Sequence, residues 1–208
     1  MRSEEAGSEA TPMRVSERLR SWREGDGEKT VGGLIDEIES KSFALLFVIL
    51  LGVPALPLPT GGITHVLEIV AMLLALQLIV GREEIWLPQR WRKVDLAGSS
   101  QQKFLDGLVR TVERLERFSK PRFTFLFDHR ISDIVFGLIA FGGALAAFLA
   151  PPFTGLDTLP ALGVVILSVA VMMEDAVIAA VGFVILLLGV AAEIFLGGAV
   201  VKGVKSIF

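Results

Sequence analysis

The stretch FALLFVILLGVPALPLPTGGITHVLEIVAMLLALQLIVGREEIWLP, residues 43–88, decides the fold. Two apolar arms flank a tip that carries Pro54, Pro57, Pro59 and the run Thr60-Gly61-Gly62. Charge returns abruptly at Gly81-Arg82-Glu83-Glu84. Each proline removes a backbone donor and opposes continuation of a helix through the tip. The second arm, 62–80, has the length of a bilayer crossing, since about 20 apolar residues cover a hydrocarbon core of roughly 30 Å. The first arm, 43–56, is shorter, so the hairpin either crosses twice or enters as a re-entrant arm. A re-entrant backbone survives at membrane depth only where protein or water satisfies it.

The rest of the chain repeats or anchors this hairpin. Residues 134–150 and 159–173 form a second pair of apolar arms, broken by Pro151-Pro152-Phe153-Thr154-Gly155, and 176–200 is long enough for a last span. Offset by 94 positions, Thr64 falls on Thr158, and Gly81-Arg82 falls near Glu174-Asp175, where both second arms stop. Repeats of this kind recur in membrane transporters, and a duplicated scaffold would show the same pattern. Over 208 residues, 52% hydrophobic with mean hydropathy +0.63, the apolar residues come in blocks rather than in a soluble amphipathic pattern. The fold class is therefore all-α: a polytopic helical membrane protein with two Pro-broken hairpin repeats and a C-terminal span.

Charge sets the expected orientation. Seven Lys/Arg precede residue 42 and eleven lie within 81–132, so both regions are placed in the cytoplasm. Both hairpins then enter from the same side, which favours parallel over inverted repeats. The N-terminus has no apolar segment of the signal-peptide kind. The absence of cysteine excludes disulfides, thiolate metal sites and cysteine nucleophiles.

The expected divisions are 1–29, a disordered then amphipathic cytoplasmic N-terminus; 30–93, the first hairpin repeat; 94–123, an amphipathic cytoplasmic linker helix; 124–200, the second repeat and last span; and 201–208, a tail. Val15, Leu19 and Trp22 form one stripe among Arg14, Arg18, Arg20 and Arg23, which predicts a basic helix lying on the membrane surface. Thr30 predicts the N-cap of a second short helix. The stripe Phe104, Leu108, Val112, Leu115, Phe118 predicts a helix along the headgroups or packed on the bundle's own loops.

Ionisable groups inside apolar arms are costly and are the default functional candidates. His65 and Glu68 share a helix face and are expected to hydrogen-bond each other, with proton relay or cation binding as the sharper role. Asp157 is expected to cap the helix that holds Pro160 in its first turn. Helix N-termini at Thr60-Gly61-Gly62 and at Thr154-Gly155 suggest donors aimed at one anionic group. The candidate substrate or ion pathway is thus Thr60, Gly61, Gly62, His65, Glu68, Thr154, Gly155 and Asp157. Arg82 is a candidate partner for Glu174 or Asp175 across the two halves, with interface anchoring as the plainer role. Glu193 shares a face with Gly182 and Gly189, and reads as one carboxylate on a packing seam. No metal-ligand cluster, phosphate loop, nucleophile motif or cofactor signature is present, so enzyme activity and nucleic-acid binding are not expected.

The run Pro57-Leu58-Pro59-Thr60-Gly61, then Leu74-Ala75-Leu76-Gln77-Leu78 with Gly81-Arg82 and Trp86-Leu87-Pro88, resembles the ExoD family of bacterial exopolysaccharide-synthesis proteins. Leu159-Pro160-Ala161-Leu162 and Met173-Glu174-Asp175 are similar to that family's second block, so the resemblance covers about residues 27–198. The chain departs from it at Ile85 and Ala176. The resemblance implies a membrane protein that supports exopolysaccharide synthesis or export, and it carries no catalytic residues. Two expectations follow: a transporter- or channel-like protein, or a non-transporting scaffold or regulatory subunit. The expected partners are the bilayer, a second copy through the Gly-rich helices, and synthesis proteins or an anionic small-molecule or lipid-linked substrate.

Overall fold

The computed structural model describes residues 15–25, 28–38, 41–56, 63–82, 85–93, 95, 98, 129–150 and 155–207, with isolated positions between 102 and 127, and side chains as far as 196. Apart from one isolated bridge, Thr30 to Asp95, the regular structure of these residues is helical.

α1 (Val15–Glu24) and α2 (Val31–Ile38) pack together as a cap. The α1 stripe is realised as predicted, but Leu19 and Trp22 are buried in the protein core, not laid on a membrane surface. The basic side chains around it explain the difference, because two of them have acidic partners in the chain. Arg20 pairs with Glu113 and Arg23 with Asp106. Those partners lie in residues 102–117, where Val109 is buried while Arg110, Arg114 and Arg117 are exposed. These ion pairs join the segment to α1; its predicted stripe (Phe104, Leu108, Val112, Leu115, Phe118) lies outside the described residues. Lys29 closes α1 by donating to the carbonyl of Gly25 at 2.6 Å and to that of Trp22. Thr30 caps α2 as expected, its Oγ1 accepting from Gly33 N–H at 3.1 Å. Asp36 on α2 takes a bidentate pair from Arg92 of the short α5 (Gln89–Arg92), at 2.7 and 2.8 Å.

Below this cap stand two helical hairpins. α3 (Ser42–Gly52) and α4 (Ile63–Val80) form the first; α6 (Arg130–Leu149) and α7 (Thr158–Met173) form the second. They interlock: α3 packs chiefly on α7 and α4 chiefly on α6, so each hairpin's first helix meets the other's second. α3 and α7 are the inner pair. At about 16 and 24 Å they are shorter than a hydrocarbon core, and α3 buries Phe43 through Val48 and Leu51. α8 (Ala176–Ile207) runs antiparallel along α7 on a seam of small residues. A Cβ on Gly163 would stand 2.5 Å from Leu186 N, and one on Gly189 would stand 2.6 Å from Pro160 N.

The outer faces are apolar. Val66, Leu73 and Val80 of α4, Ile131, Leu138 and Leu149 of α6, and Val181, Leu188 and Phe195 of α8 are all exposed. Among the described residues, 130–149 and 176–196 are long and apolar enough to cross a membrane, and only 17% of the latter is buried. A soluble core helix of that hydrophobicity would be mostly covered.

Both hairpins end in the same way. Gly81 N–H donates to Leu78 O and Arg82 N–H to Gln77 O, which is a Schellman motif with Gly81 left-handed at φ 83°. Glu174 N–H donates to Val171 O and Asp175 N–H to Ala170 O, with Glu174 left-handed at φ 53°. Each end is met by a cation from the start of the other hairpin. Lys41 donates to Met172 O and Glu174 Oε1, both at 2.8 Å, and the Arg130 guanidinium packs against Gly81.

Candidate functional site

α4 carries His65 and Glu68 one turn apart because a 3.6-residue helix puts i and i+3 on one face. His65 Nδ1 lies 3.1 Å from Glu68 Oε2, as the spacing predicts. The surroundings differ from a wet interface. Glu68 is fully buried, and its Oε1 has no hydrogen-bond partner among the described residues. His65 stays partly accessible, with its ring 5.3 Å from that of Phe148 on α6.

Two further carboxylates converge here. Asp157, at the head of α7, acts electrostatically on Glu68 and on Glu193, and Glu68 acts on Glu193. Glu193 reaches this level because the antiparallel seam sets Gly189 beside Pro160, one turn from Asp157. Its Oε1 is also buried and without a partner among the described residues. A buried polar atom left unpaired costs about 1–3 kcal/mol, more when charged. Two such atoms within one cluster are therefore a local cost that folding alone does not explain. The described residues hold no group of three or more His, Asp or Glu side chains arranged to take a metal ion.

Asp157 occupies the predicted N-cap position, but its side chain makes no capping hydrogen bond; its backbone carbonyl accepts from Ala161 N–H at 3.1 Å. The carboxylate is therefore left for the cluster. Gly155, left-handed at φ 69°, turns the chain into α7. Thr60, Gly61, Gly62 and Thr154 lie outside the described residues. The expected anion site at the two helix starts therefore lies largely outside the described residues.

The expected partnership of Arg82 with Glu174 or Asp175 is replaced by other contacts. Glu174 pairs with Lys41 at 2.8 Å, and Asp175 Oδ1 accepts from Val177 N–H at 2.9 Å at the start of α8. The αL turn at Glu174 directs its side chain toward the α3 N-terminus, which carries Lys41. Gln77 holds the outgoing chain, its Oε1 accepting from Trp86 N–H at 2.8 Å. Sequence spacing gave no sign of the Lys41–Glu174 pair, whose partners stand 133 positions apart, whereas the Asp175 contact is a local cap of α8.

The family model described as "Exopolysaccharide synthesis, ExoD" matches residues 15–195. The chain is similar to an uncharacterized protein of Synechocystis sp., 30% identical over 166 residues that cover 77% of each chain. It is also similar to "Protein ExoD" of Rhizobium meliloti, 27% identical over 155 residues, which are 74% of this chain and 64% of that protein. No solved structure matches.

Proposed function

The chain belongs to the ExoD exopolysaccharide-synthesis family, and on that premise we propose that it is a multi-spanning inner-membrane protein that works as a transporter. In this reading Glu68, Glu193 and Asp157, with His65 at the mouth, form a polar site that engages a proton in support of exopolysaccharide synthesis or export. One observation carries the reading: Glu68 is completely buried among apolar helices with an unpartnered carboxylate oxygen. Ionisable groups in such a place mark pathways more often than packing.

Three features support the membrane setting. The outer faces of α4, α6 and α8 are apolar. The end of the bundle that carries Lys41, Arg82 and Arg130 adjoins the cap that carries Arg92, and this cationic end takes the cytoplasmic side. The interlocked hairpins with like-built ends favour a duplicated unit that enters from one side. The acidic site lies toward the opposite end, about 8 Å along α4 from Ile63.

In the scaffold alternative, residues 101–118 would serve as the docking surface. Arg20 and Arg23 of α1 already engage Glu113 and Asp106 there, so transport is the better-supported reading.

Proteoliposomes loaded with a pH-sensitive dye test the proposal. Protein-dependent proton flux, abolished by Glu68→Gln, is the expected result. Equal leak from loaded and empty vesicles, together with full exopolysaccharide production by a strain carrying Glu68→Gln, would sink it.

A further inference from the structure

At the end of the bundle opposite the acidic cluster, a cavity of about 450 Å³ opens between the two hairpins. Phe43, Phe136 and Val171 line its floor, and Arg82, Arg130 and Asp133 stand on its walls. Neither guanidinium makes an ion pair with any described residue, whereas Arg20, Arg23 and Arg92 all do. The Arg130 guanidinium lies against Gly81, whose left-handed turn at φ 83° suits a glycine. Arg82 borders a second space of about 400 Å³ on the outer face of α4, beside Leu76, Val80 and Trp86. Val80 is 71% exposed and Trp86 63%, so this outer strip is apolar and open to its surroundings.

We infer that this cavity binds the phosphate headgroup of an anionic phospholipid, with Arg82 and Arg130 on the phosphate and an acyl chain lying along Leu76 and Val80. The inference rests on the membrane setting proposed above and concerns a site separate from the acidic cluster. Two guanidiniums against one carboxylate leave a net positive charge facing the cavity, and Arg is the side chain best shaped for phosphate. Basic pockets between helices at the cytoplasmic surface recognise such headgroups. The apolar floor and the outer strip separate this site from one for a free anion, which needs no chain groove. Asp133 opposes a phosphate and accepts from hydroxyl groups, so it tunes selection toward a headgroup with hydroxyls.

The chain has no cysteine, so Val80→Cys places a single bimane probe on the strip. The full-length labelled protein is titrated in detergent with brominated phosphatidylglycerol, brominated phosphatidylcholine and, as competitor, inorganic phosphate. Phosphatidylglycerol is expected to quench at about fivefold lower mole fraction than phosphatidylcholine for each arginine engaged. Arg82→Gln and Arg130→Gln should each reduce that preference, Arg82→Lys should retain part of it, and Asp133→Asn should strengthen quenching by both lipids. The gain from Asp133→Asn keeps the result independent of any loss of fold. Equal quenching by the two lipids overturns the headgroup site while leaving the membrane reading intact. No quenching by either lipid overturns both. Loss of the preference in millimolar phosphate assigns the site to a soluble anion and overturns the lipid assignment.

Discussion

Glu68 and Glu193 each bury a carboxylate oxygen that nothing described satisfies. Glutamine in either place keeps the shape and removes the charge, and neutralising an uncompensated buried charge is neutral or stabilising. Glu193→Gln is therefore expected to hold or raise Tm by about 2–4 °C in a detergent thermal-shift assay, while exopolysaccharide production falls. A drop in Tm with production unchanged would make Glu193 a packing residue. The two helix ends give a second residue-scale contrast. Glu174 is left-handed and non-glycine, and it survives there because Lys41 holds its carboxylate. Glu174→Ala loses that contact and keeps the backbone strain, whereas Glu174→Gly loses the contact and relieves the strain. Chemical unfolding should find the alanine variant less stable by about 1 kcal/mol. Both groups were visible in the sequence as charges inside or beside apolar runs. Their partners were not, because Lys41 stands 133 positions from Glu174.

The elements themselves were largely legible. Hydropathy, the prolines and the return of charge located α3, α4, α6, α7 and the start of α8 to within about four residues, because those signals are carried by neighbours in the chain; α8 itself runs on to Ile207, through most of the expected tail 201–208. Capping was legible at Thr30 and misread at Asp157, where the residue type fits a cap but the side chain faces other carboxylates. The face of α1 was legible and its destination was not; an amphipathic stripe states that one side is buried without stating against what. The glycines sort by what they meet. A Cβ at Gly163 collides with the α8 backbone, while one at Gly142 meets nothing within 4 Å. Gly163→Ala should force α7 and α8 apart and cost about 2 kcal/mol or more. Gly142→Ala should gain up to about 1 kcal/mol of helix propensity. Parallel unfolding curves compare them, and equal effects would show that the seam does not hold α8.

The whole molecule is a pair of interlocked hairpins under a charged cap, with α8 covering one side. If it crosses the membrane from the cap side, Lys93→Cys is expected to react with impermeant maleimide from the cytoplasmic face only. Leu56→Cys and Leu159→Cys, at the tip end, should react from the opposite face only. Labelling of all three from one face would make both hairpins re-entrant and move the acidic cluster to the middle of the bilayer.

By itself the sequence determined the helices, their breaks and an apolar exterior, since each follows from the composition of a local window and the 3.6-residue period. It also marked His65 and Glu68 as ionisable groups inside an apolar arm. Only the tertiary structure decided that Glu193 joins them, that Lys41 takes Glu174, and that Arg82 and Arg130 share one cavity. Those groupings arise from the interlocking of α3 with α7 and α4 with α6, and from the register of α8 on α7. Close packing of small residues sets that register, and no pattern along the chain encodes it.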